Sequence, residues 1–104
     1  RVDRRQLHAV IQGFASGGQP QAAEEMVARM REYSVSPTEG SYCIAINAHA
    51  RLRGMACAER CFRTMQESRI AATEFGYGCV INGYAQEGRV RDAERWLEGM
   101  LEAR

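Results

Sequence analysis

The chain has 104 residues, 45% of them hydrophobic, with 14 arginines against 13 acidic residues and a formal net charge of +1. A balance so close to zero excludes a strong field for steering the chain onto nucleic acid or an anionic bilayer. No apolar run approaches the ~20 residues a membrane span needs, so membrane insertion is not expected.

The first helical signal is Leu7, Val10, Ile11 and Phe14, whose offsets of 0, 3, 4 and 7 draw one apolar stripe along a helix. "SGGQP" (16–20) closes it: Gly permits the left-handed conformation that ends a helix, and Pro20 suits the first turn of the next. Ala23, Met26, Val27 and Met30 predict that second helix with the same offsets, and Pro37 in "SVSPT" (34–38) cannot continue it. The pattern then restarts. Tyr42, Ala45, Ile46 and His49 predict a third helix, "RLRG" (51–54) a turn, and Ala58, Cys61, Phe62 and Met65 a fourth. After "RIAAT" (69–73) come Tyr77, Val80, Ile81 and Tyr84, the turn "QEGR" (86–89), and Ala93, Trp96, Leu97 and Met100.

These are three copies of one unit with a constant period of 35 and no gaps. Between 38–69 and 73–104, twelve of 32 positions are identical, whereas ordinary residue usage gives about two by chance. Ile11/Ile46/Ile81, Ala23/Ala58/Ala93, Glu24/Glu59/Glu94 and Met30/Met65/Met100 are among the columns identical in all three copies. One helical hairpin cannot bury its stripes alone, but stacked hairpins can. The expected fold is therefore all-α, a right-handed α-solenoid of three stacked helix-turn-helix repeats, with repeat 1 at 4–38, repeat 2 at 39–73 and repeat 3 at 74–104. Gly13 and Gly83, with Ala48 between them, are expected to let paired helices approach closely. The apolar residues of the last helix still want a partner, so a longer parent array or a protein packed on that end is expected. The chain begins at Arg1, not Met, and is read as a processed or truncated piece in which a targeting signal would be missing.

Among residues that carry chemistry, Cys57 and Cys61 share one side of a helix without the second ligand pair of a structural zinc site. With Cys43 and Cys79 they are read as small packing residues, and no metal is expected. All fourteen basic residues are Arg. Compositional bias explains this, with planar, bidentate phosphate recognition as the functional alternative. His49, Phe62, Tyr84 and Trp96 lie on the apolar stripes and read as core. Away from those stripes, steps of four along each first helix give a polar line of His8, Gln12 and Ser16, then Cys43, Asn47 and Arg51, then Gly78, Asn82 and Gln86. Stacking would set these lines side by side in one groove. Two unlike histidines, no phosphate-cradling loop and no metal constellation point away from an enzyme, and no cofactor is expected.

The 35-residue period, with "YGCVINGYAQEG", "AERWLEGM" and "VSPT" in phase, resembles the pentatricopeptide repeat family over essentially the whole chain. The tetratricopeptide alternative has a 34-residue period and a different aromatic pattern. The resemblance implies single-stranded RNA binding in a mitochondrion or plastid, in RNA processing, stability or translation, with base-reading pairs at His8 with Thr38 and at Cys43 with Thr73, and a third reading position at Gly78. It implies base-packing positions at Gly40 and Phe75, and a phosphate contact at Arg51, with Arg53 nearby. Cys43 is a poor hydrogen bonder and Gly78 has no side chain, both departures from the family pattern. A second reading stays open beside RNA binding: a non-catalytic scaffold subunit of a large organellar ribonucleoprotein or membrane complex.

Overall fold

The computed structural model describes residues 1–103, and among these residues it is all-helical. Six α-helices form three hairpins: α1 (Arg4–Ser16) with α2 (Pro20–Ala28), α3 (Glu39–Arg51) with α4 (Met55–Glu67), and α5 (Glu74–Gln86) with α6 (Val90–Glu102). In the first unit the second helix tightens after α2 into a 3-10 turn over Met30–Tyr33.

Local chemistry sets the helix starts. Asp3 opens α1 with a capping box, its side chain accepting from the Gln6 amide at 3.0 Å while the Gln6 side chain accepts from the Asp3 amide at 3.0 Å. Thr38 and Ser41 do the same for α3, and the Thr73 side chain caps α5. The second helices have no side-chain cap; the chain enters them through one repeated turn. In it the amide of Gln19, Gly54 or Arg89 donates to the carbonyl of Phe14, His49 or Tyr84, at 2.9, 2.8 and 2.9 Å. This is the Schellman closure, and its left-handed residue is Gly18 (φ 77), Arg53 (φ 60) or Gly88 (φ 74). Gly54, the glycine of the "RLRG" turn, stands one place later, at φ −95. Arg53 takes the strained position instead.

The core is continuous through the stack. Leu7, Ile11 and Ala15 of α1, Tyr42, Ala45, Ile46 and His49 of α3, and Val80 and Tyr84 of α5 are buried. So are Ala23, Met26, Val27 and Met30 in the first unit and Ala58, Cys61, Phe62 and Met65 in the second. Two expected core residues lie outside it: Val10 is 46% exposed and Leu97 44%. In α1 the buried line runs 7, 11, 15, which turns Val10 toward solvent. Leu97 lies on the outer side of α6, a helix with no fully buried residue.

First helices pack on first helices, α1 on α3 and α3 on α5, while α2 meets α3 and α4 meets α5. The second helices fan apart, so the first helices form the tighter, inner layer of a solenoid measuring 44 × 30 × 17 Å. The small residue expected between paired helices serves a different contact. A Cβ at Gly83 would lie 2.8 Å from Met55 Sδ and 3.0 Å from Ala50 Cβ, both in the preceding unit. The close approach is thus between stacked hairpins. Gly13, its counterpart at the outer edge of the first unit, has nothing within 4 Å of such a Cβ.

Candidate nucleic-acid interface

The polar line of each first helix lies on the layer formed by α1, α3 and α5. Between units 2 and 3 the surface dips into a hollow of about 330 Å³ lined by Asn47, Ala50, Arg51, Cys79, Asn82, Gly83 and Gln86. Asn82 and Gln86 are exposed and Asn47 is half-buried, so three side-chain amides edge this hollow, and each can both donate and accept. Arg51 is exposed, and one of its N–H groups donates to the Ala15 carbonyl at 3.4 Å, which steadies the guanidinium beside the first unit. Arg53 is exposed in the turn that follows. Gln12 and Ser16 extend the same line onto α1.

The edge of this layer, where the second helix of one unit leads into the next first helix, is internally wired. His8 is half-buried, and its Nε2 lies 2.6 Å from Ser41 Oγ. Ser41 is fully buried and accepts from the Thr38 amide at 3.0 Å, so His8 and Thr38 meet through one serine hydroxyl. Burial, with the Arg4 charge adding to it, holds the His8 imidazole below its ordinary pKa of 6.5. One junction further on, Glu39 clamps Thr73: its carboxylate accepts the Thr73 hydroxyl at 2.7 Å, the Thr73 amide at 2.7 Å and the Gly76 amide at 3.0 Å. A Cβ at Gly76 would sit 2.6 Å from that carboxylate, so glycine is what lets the acid reach the end of α5. Glu39 and Ser41 were not singled out in the sequence, because their partners Thr73, Gly76 and His8 lie 33 to 37 residues away along the chain.

The remaining candidates are scattered in exposure. Cys43 is 1% exposed and covered by its neighbours. The neighbouring Cys79 thiol, with burial adding to it, pushes the Cys43 pKa up. Burial likewise pushes the Cys61 thiol up to about 12, so Cys43 and Cys61 are protonated packing groups at neutral pH. Among the described residues, no group of three or more His, Cys, Asp or Glu is arranged to hold a metal ion. Gly40 and Gly78 are half-buried, and Phe75 presents its ring to solvent at 58% exposure.

A larger hollow of about 540 Å³ opens elsewhere, between the outer helices α4 and α6. Its floor is an aromatic cluster in which Phe62 meets Tyr77 at 5.0 Å and Trp96 at 4.9 Å, edge to face. Those rings are already satisfied by one another. Arg63, Arg95, Glu98 and Glu102 share its lining, so its charges cancel, and both arginines are already paired with Glu59. Arg51 of the smaller inner hollow is in no ion pair among the described residues, which makes that hollow the better candidate for nucleic acid.

The family model described as PPR repeat matches residues 8–35, 40–70 and 75–104, one stretch in each hairpin. The chain belongs to the pentatricopeptide repeat family. No curated sequence matches it. The three matched stretches coincide with the three stacked units, so the positions compared along the PPR array are equivalent in space as well as in sequence.

Proposed function

We propose that the inner layer of this PPR protein binds single-stranded RNA in a mitochondrion or plastid, as a non-catalytic factor in RNA processing, stability or translation. Family membership supports RNA as the partner, since PPR proteins are generally non-catalytic RNA binders and commonly organellar. The observation that carries the reading is the inner hollow edged by Asn47, Asn82 and Gln86 with Arg51 on its lining. Amides there can meet unstacked base edges, and Arg51, with four of its five N–H groups free of the Ala15 contact, can meet a phosphate.

Base choice by these units is weak. His8 and Thr38 spend hydrogen-bonding capacity on Ser41, Thr73 donates its hydroxyl to Glu39, Cys43 is covered, and Gly78 offers no side chain. Phe75 supplies a ring on which any base can stack. The affinity is accordingly modest and mostly indifferent to sequence. The test is the salt dependence of binding to a short single-stranded RNA, measured by fluorescence anisotropy. The Arg51→Ala, Arg53→Ala double variant should bind more weakly, and its log-affinity slope against log salt should be shallower by about 1.4, near 0.7 per lost phosphate contact. An unchanged affinity and slope would remove this surface from consideration.

A protein-scaffold role is the second reading. It is favoured by α6, where Leu97 and Leu101 are 44% and 52% exposed beside half-buried Trp96 and Met100.

A further inference from the structure

The identical glutamate of each unit is not a surface charge in the first two. Glu24, with a side chain only 16% exposed, accepts from His49 Nε2 at 2.9 Å and from Arg60 at 3.0 Å. Glu59, at 15%, accepts from the Tyr84 hydroxyl, from Trp96 Nε1 at 3.1 Å and pairs with Arg95 at 3.7 Å. His49 and Tyr84 are the same position of successive units, as are Arg60 and Arg95. The rule across each interface is therefore one largely covered carboxylate, a ring donor 25 residues later on the next first helix, and a guanidinium 36 residues later on the next second helix. Glu94 is the third member of this column. It is exposed, and among the described residues it has no ion pair or side-chain hydrogen bond.

We infer that the face of α6 around Glu94 is a docking surface for a helical hairpin of the same kind, one that carries His or Tyr and Arg at those two positions. Charge and donor complementarity at both existing interfaces define this partner. A second copy of the chain does not fit. Its first unit would present Phe14, which has no donor, where His49 and Tyr84 stand, and Glu25, a like charge, where Arg60 and Arg95 stand. Such head-to-tail contact would also propagate into filaments instead of closing. The apolar part of the surface is already matched to a hairpin, since the equivalent face of unit 2, Ala58, Cys61, Phe62 and Met65, is 0–2% exposed under unit 3. This inference stands apart from RNA binding and survives its failure.

The test extends the full chain at its C-terminus by a further copy of residues 70–104, which places the copied Tyr84 and Arg95 at the required separations from Glu94. It is compared with the same extension carrying Tyr84→Phe and Arg95→Glu in the added copy alone. The donor-bearing chain should melt higher by about 3 °C or more. Glu94→Gln in the donor-bearing chain should lower its melting temperature, while the same change in the unextended 104-residue chain should move it by less than about 1 °C, as for a surface substitution. Equal melting of the two extended chains overturns the proposal, as does an equal effect of Glu94→Gln with and without the extension. The unextended chain should sediment as a monomer; head-to-tail association sensitive to Glu94→Gln would overturn the exclusion of a second copy.

Discussion

Arg53 holds φ at +60° where the neighbouring units use Gly18 and Gly88. A left-handed conformation costs an ordinary residue ~1–2 kcal/mol, and glycine escapes most of that despite its greater freedom when unfolded. Arg53→Gly should therefore stabilise the chain by about 0.5–1 kcal/mol, read as a rise in the urea midpoint with an unchanged slope. His8 makes a second residue-scale prediction. Its pKa is held below 6.5 in the folded state, by burial first and Arg4 second. The unfolded chain then binds more protons than the folded one as pH falls past 6.5, so the stabilisation is present above 6.5 and lost below it. His8→Gln should flatten the fall in stability measured by urea unfolding between pH 7 and pH 5. An identical pH profile for the two proteins would show that His8 does not carry that loss.

At the scale of the helix, one column of the repeat makes opposite predictions at its two ends. Gly13→Ala meets nothing within 4 Å and should gain most of the ~1 kcal/mol of helix propensity that glycine forgoes. Gly83→Ala gains the same propensity but drives a methyl into Met55 and Ala50. Overpacking of this kind costs ~1–3 kcal/mol, so thermal unfolding should show a net loss. The helices themselves were legible because three copies vote on each boundary: the expected stripes fall inside the α-helices except at Met30, which stands just past α2 in the 3-10 turn. Val10 and Leu97 were misassigned because offsets of 0, 3, 4 and 7 define a stripe but not which of its edges a neighbour covers. Within "RLRG" the glycine is the usual occupant of a left-handed turn, and only the closure from Gly54 to His49 shows that Arg53 holds that position.

For the molecule as a whole, the stacking is carried by apolar burial and pinned by polar contacts that no single repeat can display. The Glu24/Glu59/Glu94 column is visible in the sequence as an identity, but its role is not, since the donors lie one unit away. The signal that could have exposed it is the ring donor and Arg recurring 25 and 36 residues after each of the first two glutamates. The surface proposed for RNA was legible in the sequence to a similar degree. Helical stepping brings Gln12, Asn47, Arg51, Asn82 and Gln86 to one layer, whereas the covering of Cys43 and the engagement of His8 and Thr73 depend on Cys79, Ser41 and Glu39, each about one repeat away along the chain. Charge near zero leaves the molecule without a long-range pull on RNA, so the proposed binding rests on short-range contacts.

The most direct measurement is a residue-resolved map of the RNA contact, by amide chemical shifts of the 104-residue chain titrated with a short single-stranded RNA. The stacked-groove account predicts that the shifts follow the inner layer, at and around Gln12, Asn47, Arg51, Asn82 and Gln86, and spare the outer hollow by Phe62 and Trp96. Shifts confined to α4 and α6, or none at a large excess of RNA, would contradict it.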